Sequence, residues 1–205
     1  MEVMKSFLSE IKEFETDKRD TYDIKIGRIP VILTSAHGIE QQKRGGRIKF
    51  AEPMTRGIAK YVNKKTGCFY LVKNEDTGVD PNKRNDDEFK NILLQIIEKN
   101  HIKLLIDLHG AKKERDFDVE LGTLNGKMAD EKTVGGLVDC LQKNGVTKIA
   151  FNEPFKGGFI TRTVFDNTGI NCIQLEINGN YRNIRKANNL KKICKALTDF
   201  IDMIN

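Results

Sequence analysis

The chain lacks tryptophan altogether, has only three histidines and four prolines, and contains no apolar run near the ~18 residues a membrane helix needs. Each shortage removes a class of function. Without a long apolar run, no transmembrane anchor is expected. The opening "MEVMKSFLSEIKEFETDKRD" carries acids and no cleavable apolar stretch, so the reading is a cytoplasmic protein without a secretory signal. The four cysteines, Cys68, Cys140, Cys172 and Cys194, form no C-x-x-C pair and each sits in an apolar segment. A zinc knuckle needs close pairs, so reduced core thiols are expected instead. No G-x-S-x-G elbow and no P-loop occurs, which disfavours a serine hydrolase and a phosphate-binding enzyme. Aromatics are 7% of the residues and the lysines are scattered, so no basic stripe marks a nucleic-acid partner. The formal charge of +6, from 35 basic and 29 acidic residues, fits a small anionic substrate equally well.

What is present is an alternation of strand and helix along 205 residues, read as one domain spanning 1–205. Phe7, Leu8, Ile11 and Phe14 fall near helical spacing. "YDIKIG" and "IPVILTS" read as strands, "EPMTRGIAKYVNKKTG" as a helix stopped by Gly67, and "CFYLVK" as a buried strand. The strongest helix is "NDDEFKNILLQIIEKN". It places Phe89, Ile92, Leu93, Ile96 and Ile97 on one face, with Asp86, Asp87 and Glu88 at its positive N-terminus. "IKLLIDLHG", "FDVELGT", "KIAF" and "NCIQLEI" read as further strands. Val134, Leu137, Val138 and Leu141 mark one late helix and Leu190, Ile193, Leu197, Phe200, Ile201 and Ile204 another. Near-continuous apolar strands between amphipathic helices imply a three-layer α/β sandwich, a mixed and mostly parallel sheet with helices on both faces. In such sheets the chemistry lies beyond the strand ends.

The histidines stand at two of those ends. In "VILTSAHGIEQQ", His37 follows an apolar strand and precedes Gly38, with Glu40 three residues on. The pair could supply two ligands of a catalytic metal across a tight turn, though His-x-x-Glu alone is a weak motif. In "LLIDLHG", Leu105, Asp107 and His109 share one strand face, so Asp107 could orient His109 from behind. A buried His-Asp pair without metal is the alternative. Glu176 sits inside the apolar "NCIQLEINGN". Burial there would raise its pKa toward the range of a general base, unless it faces solvent from an edge strand. His101, at the end of an amphipathic helix, reads as a capping residue.

His37-Gly-Ile-Glu40, a strand-end His109 and a late Glu176 together resemble the zinc carboxypeptidase-like amidohydrolase superfamily. "TSAHGIE", "GVDPNKRNDDEF", "IDLHGAKKERDFDVELGT" and "KGGFITRTVFDNTGINCIQLEIN" resemble the N-formylglutamate amidohydrolase family over most of the chain. The resemblance implies the zinc carboxypeptidase / phosphorylase-hydrolase-like version of the sandwich. It implies one zinc ion held by His37, Glu40 and His109, and Glu176 as the base that activates water. The implied substrate is an N-acyl amino acid such as N-formylglutamate, with a glutamyl peptide as the neighbouring possibility. Arg84 and Arg162 could grip its carboxylate, stabilise the oxyanion, or serve as surface ion-pair residues. Family members commonly carry an adjoining Asn-Arg pair, whereas Lys83 separates Asn82 from Arg84 here, and the chain is short for the family. A zinc carboxypeptidase or a poly-γ-glutamate hydrolase on the same site is the alternative activity. A non-catalytic module of the same fold is the alternative class.

Overall fold

The expected alternation is present in the computed structural model, which describes residues 2–42, 48–83 and 87–204. In chain order the elements are α1 (Glu2–Thr16), β1 (Tyr22–Lys25), β2 (Ile29–Ser35), β3 (Gln41–Gln42), β4 (Ile48–Lys49), α2 (Thr55–Thr66), β5 (Cys68–Lys73), α3 (Glu88–Asn100), β6 (Leu104–Ala111), β7 (Val119–Gly122), α4 (Glu131–Lys143), β8 (Ile149–Phe151), α5 (Phe159–Thr168), β9 (Asn171–Asn178) and α6 (Ala187–Asp202).

Seven strands form one sheet in the order β1-β5-β2-β6-β9-β7-β8. Its centre is parallel: β2 pairs in parallel with β5 and β6, and β6 with β9. β1 is an antiparallel edge on β5, and β7 runs antiparallel to β9. The central strands bury both faces, as their apolar runs require. Leu104, Ile106 and Leu108 of β6 face a core completed by Phe7 and Ile11 of α1, Ile58 and Val62 of α2, Leu137 of α4 and Leu197 of α6. Leu105 faces the opposite core, built with Phe89 and Leu93 of α3 and Ile160 and Val164 of α5. The sandwich with helices on both faces therefore follows directly from the two-residue alternation along one strand.

Local capping agrees with the chemistry of the sequence. Asp87 accepts a hydrogen bond from the Lys90 amide at the start of α3, and Asp130 accepts from Thr133 at the start of α4. His101 closes α3 in the left-handed region, φ 52°. The four cysteines are buried free thiols. Among the described residues, no helix is long and apolar enough to cross a membrane.

Three elements have no counterpart in the sequence pattern: α5 after Gly158, and the short β3-β4 pair in the excursion between β2 and α2.

Candidate metal-binding active site

The parallel strands β2, β6 and β9 end at the same edge of the sheet, and that edge carries the site. β2 ends at Ser35, and His37 lies just beyond it. A Cβ on Gly38 would come within 2.4 Å of the Arg56 side chain, so the absence of a side chain there lets Arg56 pack against the backbone just after His37. His109 is the sixth residue of β6 and Glu176 the sixth of β9. The register sets them directly side by side on neighbouring strands.

Glu40 takes no part in this site. Its neighbour Ile39 turns inward and is buried, so Glu40 itself projects into solvent. The carboxylate that joins the histidines is Glu52, after the β3-β4 excursion has brought the chain back. The Glu52 amide donates to the His37 carbonyl at 2.8 Å, and the Thr55 hydroxyl donates to the Glu52 carbonyl at 2.8 Å. Just beyond, the Glu15 carboxylate accepts hydrogen bonds from the Met54 and Gly57 amides at 2.8 and 2.7 Å. It serves the start of α2 in place of a side-chain cap from Met54 itself.

His37, Glu52 and His109 form a group able to hold a metal ion. His37 Nδ1 lies 3.2 Å from His109 Nδ1 and 3.4 Å from Glu52 Oε1, and His109 Nδ1 lies 3.3 Å from Glu52 Oε2. Zinc bonds of about 2.0–2.1 Å set neighbouring corners of a tetrahedron about 3.3 Å apart, so the donor spacing suits such an ion. Each ring is held from behind. His37 Nε2 meets Asp80 Oδ1 at 2.7 Å, and His109 Nε2 meets Asp107 Oδ2 at 2.8 Å. Asp107 also accepts from the Thr34 hydroxyl at 2.6 Å. This places a carboxylate on the far nitrogen of both imidazoles and turns both Nδ1 atoms inward, the usual support for metal-binding histidine.

The electrostatics favour a cation. Burial opposes charge on His109, but Asp107 and Glu52 beside it hold its pKa well above 6.5. Burial likewise opposes ionisation of Glu52 and Asp80, yet the histidines beside them hold both carboxyls well below their usual range. The carboxylates that favour positive charge at His109 would equally favour a metal ion there. Glu176 differs: burial raises its pKa above 4.5, with the charge of His109 opposing and that of Glu52 reinforcing. Gln174 donates to Glu176 Oε1 at 2.9 Å, and Glu176 is only 5% exposed on the interior strand β9, not on an edge.

The group opens into a cavity of about 560 Å³. Lys49, Asn82, Lys112, Arg115, Lys156, Arg162, Gln174 and Glu176 help to line it. The Lys49 ammonium donates to His37 Nδ1 at 2.5 Å, on the same lone pair that a metal ion would use, so Lys49 would have to swing off that nitrogen when a metal binds. Arg162 lies in the first turn of α5 and is exposed at the rim. Arg84 lies outside the described residues. Sequence reasoning therefore placed His37, His109, Asp107 and Glu176 in positions that the fold brings together, and it missed Glu52, Asp80 and Lys49. Asp80 carried a signal, because "GVDPNKRNDDEF" was already singled out. Glu52 carries no such signal, since in "EPMTRGIAKYVNKKTG" it reads as the start of a helix.

A model of the N-formylglutamate amidohydrolase family matches residues 87–181. The match includes Asp107, His109 and Glu176 and begins after His37, Glu52 and Asp80. No curated protein sequence matches the chain. Among solved structures, the fold is similar to an N-formylglutamate amidohydrolase from Ralstonia eutropha, with TM-score 0.70 and 13% identity over 90% of this chain and 98% of the other. It is similar to a gene product of Agrobacterium tumefaciens with TM-score 0.64 and 11% identity, covering 92% of this chain and 98% of that one. A bacteriophage poly-γ-glutamate hydrolase follows with TM-score 0.52 and 14% identity over 92% of both chains.

Proposed function

We propose that this chain, whose residues 87–181 carry the N-formylglutamate amidohydrolase pattern, is a zinc-dependent amidohydrolase acting on an N-acyl amino acid with an acidic side chain, such as N-formylglutamate. His37, Glu52 and His109 would hold one zinc ion. The observation that carries the reading is the convergence of two Nδ1 atoms and one carboxylate at 3.2–3.4 Å, with Glu176 on the adjoining strand position.

When bound, zinc supplies Lewis acidity, lowering the pKa of water to ~7 and polarising a carbonyl oxygen. The chain's own groups do the rest. Glu176 accepts a proton from the attacking water and delivers it to the departing nitrogen, a role suited to a carboxylate whose pKa burial has raised. Asp107 and Asp80 keep the imidazoles presenting Nδ1. Lys49 stands nearest the cluster and can donate to the developing oxyanion, with Arg162 at the rim as the grip for a substrate carboxylate. Arg84 is proposed for the same grip from sequence alone. A single domain over 1–205 and a cytoplasmic location belong to the same proposal.

A second reading rests on the cations Lys112, Arg115, Lys156 and Arg162 around the cavity. They would suit a longer polyanionic chain, and so a poly-γ-glutamate hydrolase. A non-catalytic module of the same fold would need neither Glu176 nor an inward pair of histidines. Purified protein reconstituted with zinc and assayed on N-formyl and N-acetyl amino acids beside γ-linked glutamyl peptides separates the three. Turnover of N-formylglutamate supports the first, turnover of γ-glutamyl peptides the second. Zinc binding without turnover of either sinks both.

A further inference from the structure

Arg182 is a buried charge, 7% exposed, and it lies in the loop after β9. Each of its three guanidinium nitrogens donates to a backbone carbonyl. Nε donates to Ile177 O at 2.8 Å, Nη1 to Pro53 O at 2.7 Å and Nη2 to Ala111 O at 3.0 Å. Those three carbonyls belong to three of the four segments that supply the site, all but the His37 turn. Pro53 follows the ligand Glu52, Ala111 lies two residues beyond the ligand His109, and Ile177 follows the base Glu176. The same meeting point is closed by the Gly110 amide, which donates to Glu52 Oε2 at 2.9 Å. Gly110 has its own reason to be glycine: a Cβ there would stand 2.4 Å from Arg182 Cζ.

We propose that Arg182 is a positioning residue that locks the strand ends and the Glu52 turn into the ligand geometry of the metal site. The proposal rests on the reading of His37, Glu52 and His109 as the metal ligands. The β6–β9 ladder already holds Ala111 and Ile177 in register, whereas the Pro53 segment that carries Glu52 lies outside that ladder and is tied to it here through Arg182 and the Gly110 amide. A planar fork with donors on three nitrogens spans the three acceptors at once, which a lysine ammonium on a flexible stem does not reproduce. A structural arginine elsewhere in the core would stabilise the fold without touching the ligands. This one bonds the residue next to one ligand, the residue next to the base, and a residue two positions from a second ligand.

The test measures zinc affinity by competition with a chromophoric chelator, and the visible d–d spectrum of the protein loaded with Co²⁺. The variants are Arg182→Lys, Arg182→Gln and Gly110→Ala. Leu197→Ala on α6, a core truncation outside the site, is the control for lost stability. Outer partners that orient metal ligands commonly cost about 10–100-fold in affinity when removed, and that loss is expected in all three variants, together with a shifted cobalt spectrum. Leu197→Ala should lower the melting temperature and leave both readouts unchanged. Gly110→Ala approaches the same contact from the other side, so combining it with Arg182→Gln should cost less than the sum of the two. If Arg182→Gln does not fold, Arg182→Lys and Gly110→Ala carry the test. Wild-type zinc affinity and spectrum in the folded Arg182 variants would overturn the clamp and leave the metal site standing. A wild-type protein that binds no zinc would overturn the ligand set, and the clamp with it.

Discussion

Replacing Glu52 tests the site most sharply, because the sequence alone points to Glu40. One carboxylate oxygen of Glu52 lies 3.4 Å from His37 Nδ1 and the other 3.3 Å from His109 Nδ1, so its loss removes the only anion of the proposed ligand set. Losing a mere orienting partner costs about 10–100-fold in metal affinity, so losing a ligand should cost at least ~100-fold. The consequence for stability follows from mass action. Zinc at a hundredfold excess over its Kd stabilises the folded chain by about 2.7 kcal/mol. For a chain of this size each kcal/mol is worth about 2–4 °C, so zinc should raise the wild-type melting temperature by roughly 5–11 °C. In Glu52→Ala the same zinc concentration is about equal to Kd or below it. The gain then falls to about 0.4 kcal/mol, a shift of roughly 1 °C. Glu40→Ala should keep the full shift, since Glu40 is exposed and outside the cluster. With no tryptophan in the chain, far-ultraviolet circular dichroism is the suitable probe of melting. A Glu40→Ala protein that loses the zinc shift, beside a Glu52→Ala protein that retains it, would refute the assignment.

Further outcomes are expected. Glu176→Gln should keep the metal and lose about 10²-fold or more in kcat; unchanged turnover would remove it from the chemistry. Because burial raises the Glu176 pKa above 4.5 and a base works only when ionised, kcat/KM should fall as pH drops through that raised value. A pH–rate profile without that acid limb would contradict the role. Asp107→Asn should weaken zinc by about 10–100-fold by releasing the His109 ring, measured by chelator competition, and Asp80→Asn should do the same through His37. Arg162→Ala should lower kcat/KM by roughly 2–4 kcal/mol for an acidic substrate and much less for its neutral amide. Equal losses on both substrates would place Arg162 outside recognition.

Most of the layer architecture was readable because burial imposes a period. The unbroken apolar runs of β2, β5, β6 and β9 and the one-sided faces of α3 and α6 each carry their own signature. The hidden elements lack one. β3 and β4 are two residues each, too short for any period, and α5 is a ten-residue helix entered directly from two glycines. The site divides along the same line. His109, Asp107 and Glu176 lie within regular strands, where two-residue alternation fixes the direction of a side chain. Glu52 sits on an irregular return path, and its partnership with His37 depends on a backbone hydrogen bond across fifteen positions of sequence. Nearness in sequence favoured Glu40, but Ile39 takes the inward direction at that turn and leaves Glu40 the outward one.

The pairing of His109 with Glu176 acts as a ruler built into the sheet. Adjacent strands run about 4.7–4.9 Å apart, so the span between a ligand and the base is set by backbone hydrogen bonds and owes nothing to any loop. The surrounding cavity is walled mainly by segments outside β6 and β9, among them the turn at Asn82, the stretch from Pro154 to Gly158 and the start of α5. Those walls can change length and charge without altering that span. A sheet of this kind can exchange one amide for another at its rim while the reacting groups keep their spacing. The converse also holds: a one-residue slip of β9 against β6 would carry Glu176 to the opposite face and uncouple it from the ligand, even with every side chain unchanged.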